Sequence, residues 1–238
     1  MAIDGALRFF SKLKKTRSID DHIQHAQRLL SEALPNSGYA NRYKQEEIDY
    51  WSEIANWLPL MRKGSSILDI GCAYGTLSII SKNACNADVY ACDAIEQTTI
   101  RNILAPLGIK YGFCNIELDD IPWDMQFDVV LFTEVIEHLN FHPLETLRKI
   151  RSSLKRGGSL MISTPDAESD WGRKTTYYRS LNEMPMPNRN AGWIDDHIWQ
   201  FSMNELTAVL REAGFTIKKA THSRRIGFKH LNVWAIAN

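Results

Sequence analysis

The stretch Ile67-Leu68-Asp69-Ile70-Gly71-Cys72-Ala73-Tyr74-Gly75-Thr76 leaves this chain few folds to choose from. A short apolar run ends at Gly71, a tight turn follows, and a helical pattern begins near Gly75. Glycine permits positive φ and lets a ligand approach the backbone closely. Asp93 closes the next apolar run, about 22 positions after Gly71. At that position a doubly wound sheet presents a carboxylate to the two ribose hydroxyls of an adenosine. A glycine turn alone is weak evidence, but strand, turn, helix, strand and terminal Asp in this order are much stronger.

The rest of the chain continues the alternation. Apolar runs at SILDIG (66–71), DVYACD (88–93), KYGFC (110–114), FDVVLF (127–132) and SLMIST (159–164) read as strands. Helical patterns follow near 75–84, 96–105, 134–139 together with 143–155, and 202–213. Strands alternating with helices imply crossover connections and a mostly parallel sheet covered on both faces. Ser202 and Glu205 form a capping-box pattern at the start of the last helix. After Gly214, FTIKKATHS and FKHLNVWAIAN read as two strands without a helix between them, which makes that pair antiparallel. The expected fold is therefore α/β, a Rossmann-like seven-stranded sheet with a terminal antiparallel hairpin. Two helical patterns precede it, one over 19–33 and one from about Gln45 to Met61 with Ile48, Trp51, Ile54, Ala55 and Leu58 on its apolar face. We expect residues 1–64 to be a helical cap and 65–238 the main domain, with an insert at 165–201.

Charge narrows the function classes. Lysine and arginine total 28 and aspartate and glutamate 28, so net charge is zero, which disfavours a protein that grips nucleic acid by bulk charge. No run of apolar residues is long enough to span a bilayer. The basic N-terminus, with Lys12, Lys14, Lys15 and Arg17, reads as an arm rather than a signal peptide. Cys72, Cys85, Cys92 and Cys114 show no metal-finger spacing and read as reduced and structural, and the expected location is cytoplasmic.

The order of motifs resembles the class I S-adenosylmethionine-dependent methyltransferases, across roughly residues 65 to 238. LDIGCAYG is similar to their first motif, with Ala73 where a third glycine is common, and YACDA is similar to their second. Cys114-Asn115-Ile116-Glu117 stands where the family contacts adenine, FDVVLFTEVIEHL resembles the motif on strand four, and LKRGGSLMISTP the fifth strand with its turn. The resemblance implies S-adenosylmethionine as cofactor, held by Asp69, Gly71, Ala73, Gly75, Asp93, Ala94, Asn115, Ile116 and Thr133. A dinucleotide enzyme would use GxGxxG to seat a pyrophosphate, and that pattern is not completed here.

Methyl transfer from a sulfonium needs nucleophile, methyl and sulfur in line, and a hydroxyl nucleophile must lose its proton. Thr133-Glu134-Val135-Ile136-Glu137-His138-Leu139 follows strand four directly; in a helix, Glu134, Glu137 and His138 would share a face. Asp195-Asp196-His197 stands before the last helix. His138, Glu134 and His197 are the candidate catalytic residues. ExxEH with a distant His resembles the ubiquinone-type O-methyltransferases and the small-RNA 2′-O-methyltransferases, which implies Glu134, Glu137, His138 and His197 as ligands of Mg²⁺ or another divalent ion. Macrodipole complementarity and plain loop hydrogen bonding also account for these residues. The insert carries Trp171, Tyr177, Tyr178, Met184, Pro185, Pro187, Trp193 and Trp199, which suit a substrate lid, and Arg173, Lys174, Arg179 and Arg189, which suit an anionic acceptor. Tyr39, Arg42 and Tyr43 are candidates to close over the cofactor's carboxylate. The favoured reading is transfer to a hydroxyl of a small or medium-sized molecule, with nucleic acid disfavoured. The rivals are an RNA 2′-O-methyltransferase, for which Lys218, Lys219, Arg224, Arg225 and Lys229 leave room, and a cofactor-binding scaffold subunit without turnover.

Overall fold

A computed structural model describes residues 18–169, 172–173, 176–223 and 229–238. Seven strands, β1 (Ser66–Ile70), β2 (Asp88–Asp93), β3 (Lys110–Phe113), β4 (Phe127–Thr133), β5 (Leu154–Pro165), β6 (Phe215–His222) and β7 (His230–Ala237), form one sheet. Their order is β3-β2-β1-β4-β5-β7-β6. The first five run parallel, and β7 is antiparallel to both β5 and β6. This is the Rossmann-like sheet and terminal hairpin that the alternation of patterns implies. Strand order reverses between β1 and β4, and at such a switch point the connecting chains diverge and leave a crevice beyond the strand ends.

Among the described residues six α-helices accompany the sheet: α1 (Ile19–Ala33), α2 (Lys44–Trp57), α3 (Thr76–Cys85), α4 (Thr98–Leu104), α5 (Pro143–Ser153) and α6 (Met203–Glu212). Successive residues of β1 face opposite ways, because side chains alternate along a strand. Ile67 joins Ile23, Leu30, Ile54 and Leu104 on one face, while Leu68 joins Leu147, Ile150, Leu206 and Leu210 on the other. Capping boxes start two of the helices. Ser18 and Asp21 form a capping box on α1, and Ser202 and Glu205 form the one expected on α6.

Three segments depart from the patterns read along the chain. Residues 134–139 make no α-helix, only a short 3₁₀ turn at Ile136–His138. Glu134 sits at φ +54°, outside the helical region, and Pro143 keeps His142 extended (ψ 124°), so the turn cannot run on into α5. Strand β5 starts at Leu154, five residues before SLMIST, with a register shift against β4. Helix α2 ends at Trp57, and a 3₁₀ turn at Leu58–Leu60 carrying Pro59 follows.

The four cysteines are free and buried. Among the described residues no helix is long and apolar enough to cross a membrane. Lys12, Lys14, Lys15, Arg17, Trp171, Lys174, Arg224 and Arg225 lie outside the described residues.

Candidate functional site

The turn after β1 is fixed by its own backbone. Gly71 takes φ +72°, and a Cβ there would meet Val135 Cγ2 at 2.2 Å. The Gly71 and Cys72 amides donate to the Cys92 carbonyl (2.8 and 3.1 Å), and the Gly75 amide to the Cys72 carbonyl (2.7 Å). Gly75, at φ +82°, opens α3, and a Cβ there would meet Leu104 at 2.8 Å. Ala73 also takes positive φ, +47°. Its Cβ crowds the following carbonyl in that conformation, at a cost of about 1 kcal/mol that glycine avoids. One Asp93 oxygen accepts the Ala73 amide (2.9 Å) and the other the Ile95 amide (3.0 Å), so the carboxylate at the end of β2 clasps the turn.

Two cavities adjoin this turn and share Gly71, Ala73 and Glu134 in their walls. The larger, about 180 Å³, is also lined by Asp93, Ala94, Asn115, Ile116 and His138. The smaller, about 20 Å³, holds Asp69 and Thr133. Gly75 lines neither and serves to start the helix. Asp69 accepts the Ser78 hydroxyl (2.6 Å), and burial pushes its carboxyl up to about 7. Burial likewise raises Asp93, against the pull of its two amide bonds.

The segment before the sheet reaches the same place. A π-turn at Tyr39–Tyr43 leads into α2, and Tyr43 and Glu47 line the smaller cavity. Glu47, 1% exposed, accepts from Gln27 Nε2 (3.0 Å), the Tyr39 hydroxyl (2.8 Å) and the Thr76 hydroxyl (2.7 Å). Burial lifts its carboxyl to about 7. Arg42 turns outward to Glu46 rather than over the cleft. Glu47 was legible as an anomaly, since it stands at helical spacing with Trp51, Ile54 and Leu58, where the pattern calls for an apolar residue.

At the far end, the residues expected to converge divide into two groups. The Glu134 amide donates to the Ser163 carbonyl (2.9 Å), and its carboxylate takes the Ser163 hydroxyl (2.7 Å) and the His230 ring Nδ1–H (2.9 Å). Glu137, His138 and His197 form the other group, with one donor atom from each lying within 4.8 Å of the others. Glu137 is buried and accepts the Thr164 hydroxyl (2.9 Å); burial first, then the nearby Glu134 charge, holds its pKa well above the usual range. The His138 and His197 rings stand 4.7 Å apart and perpendicular. Burial depresses His138 against the upward pull of Asp195 and Glu134, which leaves its ring neutral near pH 7. Its Nδ1 lies 3.8 Å from Asp195 Oδ1. The Ile198 and Trp199 amides both donate to the Glu137 carbonyl (2.7 and 3.2 Å), and this bond pair brings His197 beside His138 across 59 residues of chain. His230 gave no local signal, because only the β5–β7 pairing carries it to Glu134.

The insert is held at several points. Arg173 pairs with Glu205 and lies 4.5 Å over the Trp199 ring. Arg189 pairs with Asp119 (3.1 Å), and Asn140 exchanges hydrogen bonds with Ile194 (2.8 and 3.0 Å). These arginines are therefore committed to carboxylates outside the cavity. Trp193 lines the cavity while 51% exposed.

Comparison with known proteins identifies relatives of the chain. A family described as a methyltransferase domain matches residues 39–220. The ubiquinone biosynthesis O-methyltransferase of Cereibacter sphaeroides is 36% identical over 167 residues, covering 66% of this chain and 62% of that protein. The ribosomal RNA large subunit methyltransferase G of Pseudoalteromonas translucida is 25% identical over 163 residues, covering 62% of this chain and 40% of its own length. The chain thus spans less than two thirds of either relative. Among solved structures, the Burkholderia thailandensis 1,6-didemethyltoxoflavin-N1-methyltransferase, bound to 1,6-didemethyltoxoflavin and S-adenosylhomocysteine, superposes with a TM-score of 0.61 at 17% identity, covering 90% of this chain and 89% of that one.

Proposed function

This chain belongs to the class I S-adenosylmethionine-dependent methyltransferase family, and on that premise we propose that it transfers the methyl group to a hydroxyl of a small or medium-sized acceptor. Bound in the cleft, S-adenosylmethionine supplies an electrophilic methyl on a cationic sulfur. Asp93, Ala94, Asn115 and Ile116 would take the adenosine half, and Asp69, Gly71, Ala73 and Thr133 the methionine half. The fit rests on Gly71 and Ala73, which line both cavities, and on a carboxylate at the end of β2. Gly75 acts by opening α3.

The observation that carries the O-methyl reading is His138, an imidazole in the wall of the cavity that Asp93 also lines. A neutral ring within reach of an acceptor hydroxyl can take its proton, and Asp195 beside it favours the imidazolium that results. The 36% identity to a ubiquinone biosynthesis O-methyltransferase supports the same reading. Isothermal titration with S-adenosylhomocysteine, followed by a turnover assay on catechol, tests it. Submicromolar to micromolar binding with methyl transfer to oxygen is expected, and absence of binding would sink it.

A second reading has an observation of its own. The carboxylate and two imidazoles of Glu137, His138 and His197 suit Zn²⁺ or Mn²⁺ better than Mg²⁺, which prefers oxygen ligands. An ion held there would keep Glu137 ionised and lower the pKa of an acceptor hydroxyl. Glu134, held by Ser163 and His230, would support this set from beside it. Turnover that survives EDTA favours His138 as base; turnover lost to EDTA and restored by Mn²⁺ favours the ion.

A further inference from the structure

Within that methyltransferase reading, the charge lining the cleft goes further and selects a class of acceptor. Four carboxylates line the larger cavity: Asp93, Glu117, Glu134 and Asp195. Among the described residues no lysine or arginine lines it. Three described cations have partners elsewhere. Lys149 donates to the Ile116 and Asp119 carbonyls (2.8 and 2.6 Å), Arg189 pairs with Asp119, and Arg173 pairs with Glu205.

The four acids do not face an arriving acceptor equally. Glu117 spends both oxygens on the Asn140 and Phe141 amides (3.1 and 2.8 Å). Asp93 holds the turn, and Glu134 is tied to Ser163 and His230. Asp195 differs, with a side chain 62% exposed two residues from the half-exposed Trp193 ring. It lies on the same wall as His138, whose Nδ1 is 3.8 Å from its Oδ1. Beside Trp193, the exposed Ile95 adds apolar surface to the same lining.

From this geometry we infer that the acceptor is a hydroxylated aromatic molecule bearing no anionic group, admitted between Trp193 and Asp195 and favoured when it carries a protonated amine. An indole face beside a carboxylate attracts cations and tolerates neutral rings. An anion entering there meets like charge with no counter-charge to offset it. The same charge opposes the anionic phosphodiester backbone of a nucleic acid.

The test uses three catechols that differ in charge, namely dopamine, catechol and 3,4-dihydroxybenzoate, with S-adenosylhomocysteine release as readout at pH 7. The expected order of kcat/KM is dopamine at or above catechol, and catechol at least tenfold above the benzoate. The Asp195→Asn variant should narrow the dopamine-to-benzoate ratio several-fold. Binding of the three ligands to the S-adenosylhomocysteine complex, measured by titration, should follow the same order and is read even where turnover is slow. A benzoate used as well as catechol, or a short RNA oligonucleotide methylated in preference to it, overturns the inference. A chain that binds no S-adenosylhomocysteine at all fails the methyltransferase reading instead, so the two failures are distinct.

Discussion

The two ends of the cleft are built by different means. At the turn end, Gly71, Ala73 and Gly75 all take positive φ within five residues, and their amides are satisfied by Cys92, Asp93 and Cys72. Geometry there is set by the backbone conformation of the turn and by its amides' bonds to the end of β2. At the lid end, residues 184–202 contain no helix or strand longer than an isolated bridge, and order comes from distant partners: Glu137 for Ile198 and Trp199, and Asn140 for Ile194. An end built on a backbone turn suits a cofactor shared by many enzymes, whereas an end held by contacts to distant segments can vary to suit an acceptor.

Substitutions at each end can break this contrast. The largest effect is expected from His138→Gln, which removes the proton acceptor while keeping much of the side-chain volume. Turnover should fall by about 10² to 10⁴-fold, with S-adenosylhomocysteine affinity and Tm nearly unchanged; a loss of affinity equal to the loss of turnover would contradict the separation of the two ends. Gly71→Ala acts on the other end. The Cβ collides with Val135 and the residue is forced into the left-handed region, so stability should drop by about 3 kcal/mol in urea titrations, and S-adenosylhomocysteine affinity should drop with it.

Glu47 sharpens the comparison through pH. Its carboxyl is raised by burial from 4.5 to about 7, so the folded state binds more protons than the unfolded one across that window. Its contribution is therefore fully present below pH 4.5 and is lost as pH rises through about 7. The change is at most about 3 kcal/mol. Glu47→Gln, which loses hydrogen bonds as well, should be less stable than wild type at pH 5 and should recover relative to it by pH 8. Parallel pH profiles for the two proteins would refute the role of its ionisation. The smallest effect belongs to Ala73→Gly, which relieves left-handed strain but adds unfolded-state freedom. A net change within about 1 kcal/mol is expected, together with retained cofactor binding.

Much of the fold was legible because its signals are local. Apolar runs spaced by amphipathic helices named the strands, and Gly71 with Asp93 marked the crevice. The antiparallel hairpin followed from the missing helix between Thr216 and Trp234. The 134–139 segment misled because its spacing suits a helix, while a positive φ at a glutamate leaves no compositional trace. Arg173 and Arg189 pair with Glu205 and Asp119, and net charge and proximity in sequence say nothing about which carboxylate meets each guanidinium.

From residue order alone came the strand sequence, the glycine turn, the carboxylate at the end of β2 and the capping boxes, because each depends on bonds reaching a few residues along the chain. Tertiary contact settled how Glu134, Glu137, His138, His197 and His230 are shared between two groups, and which charges face the cleft. Those pairings join residues tens of positions apart, and they depend on how β5 meets β7 and how the insert folds back on Glu137. No local pattern encodes such distances, since the same side chains at the same spacing fit either grouping.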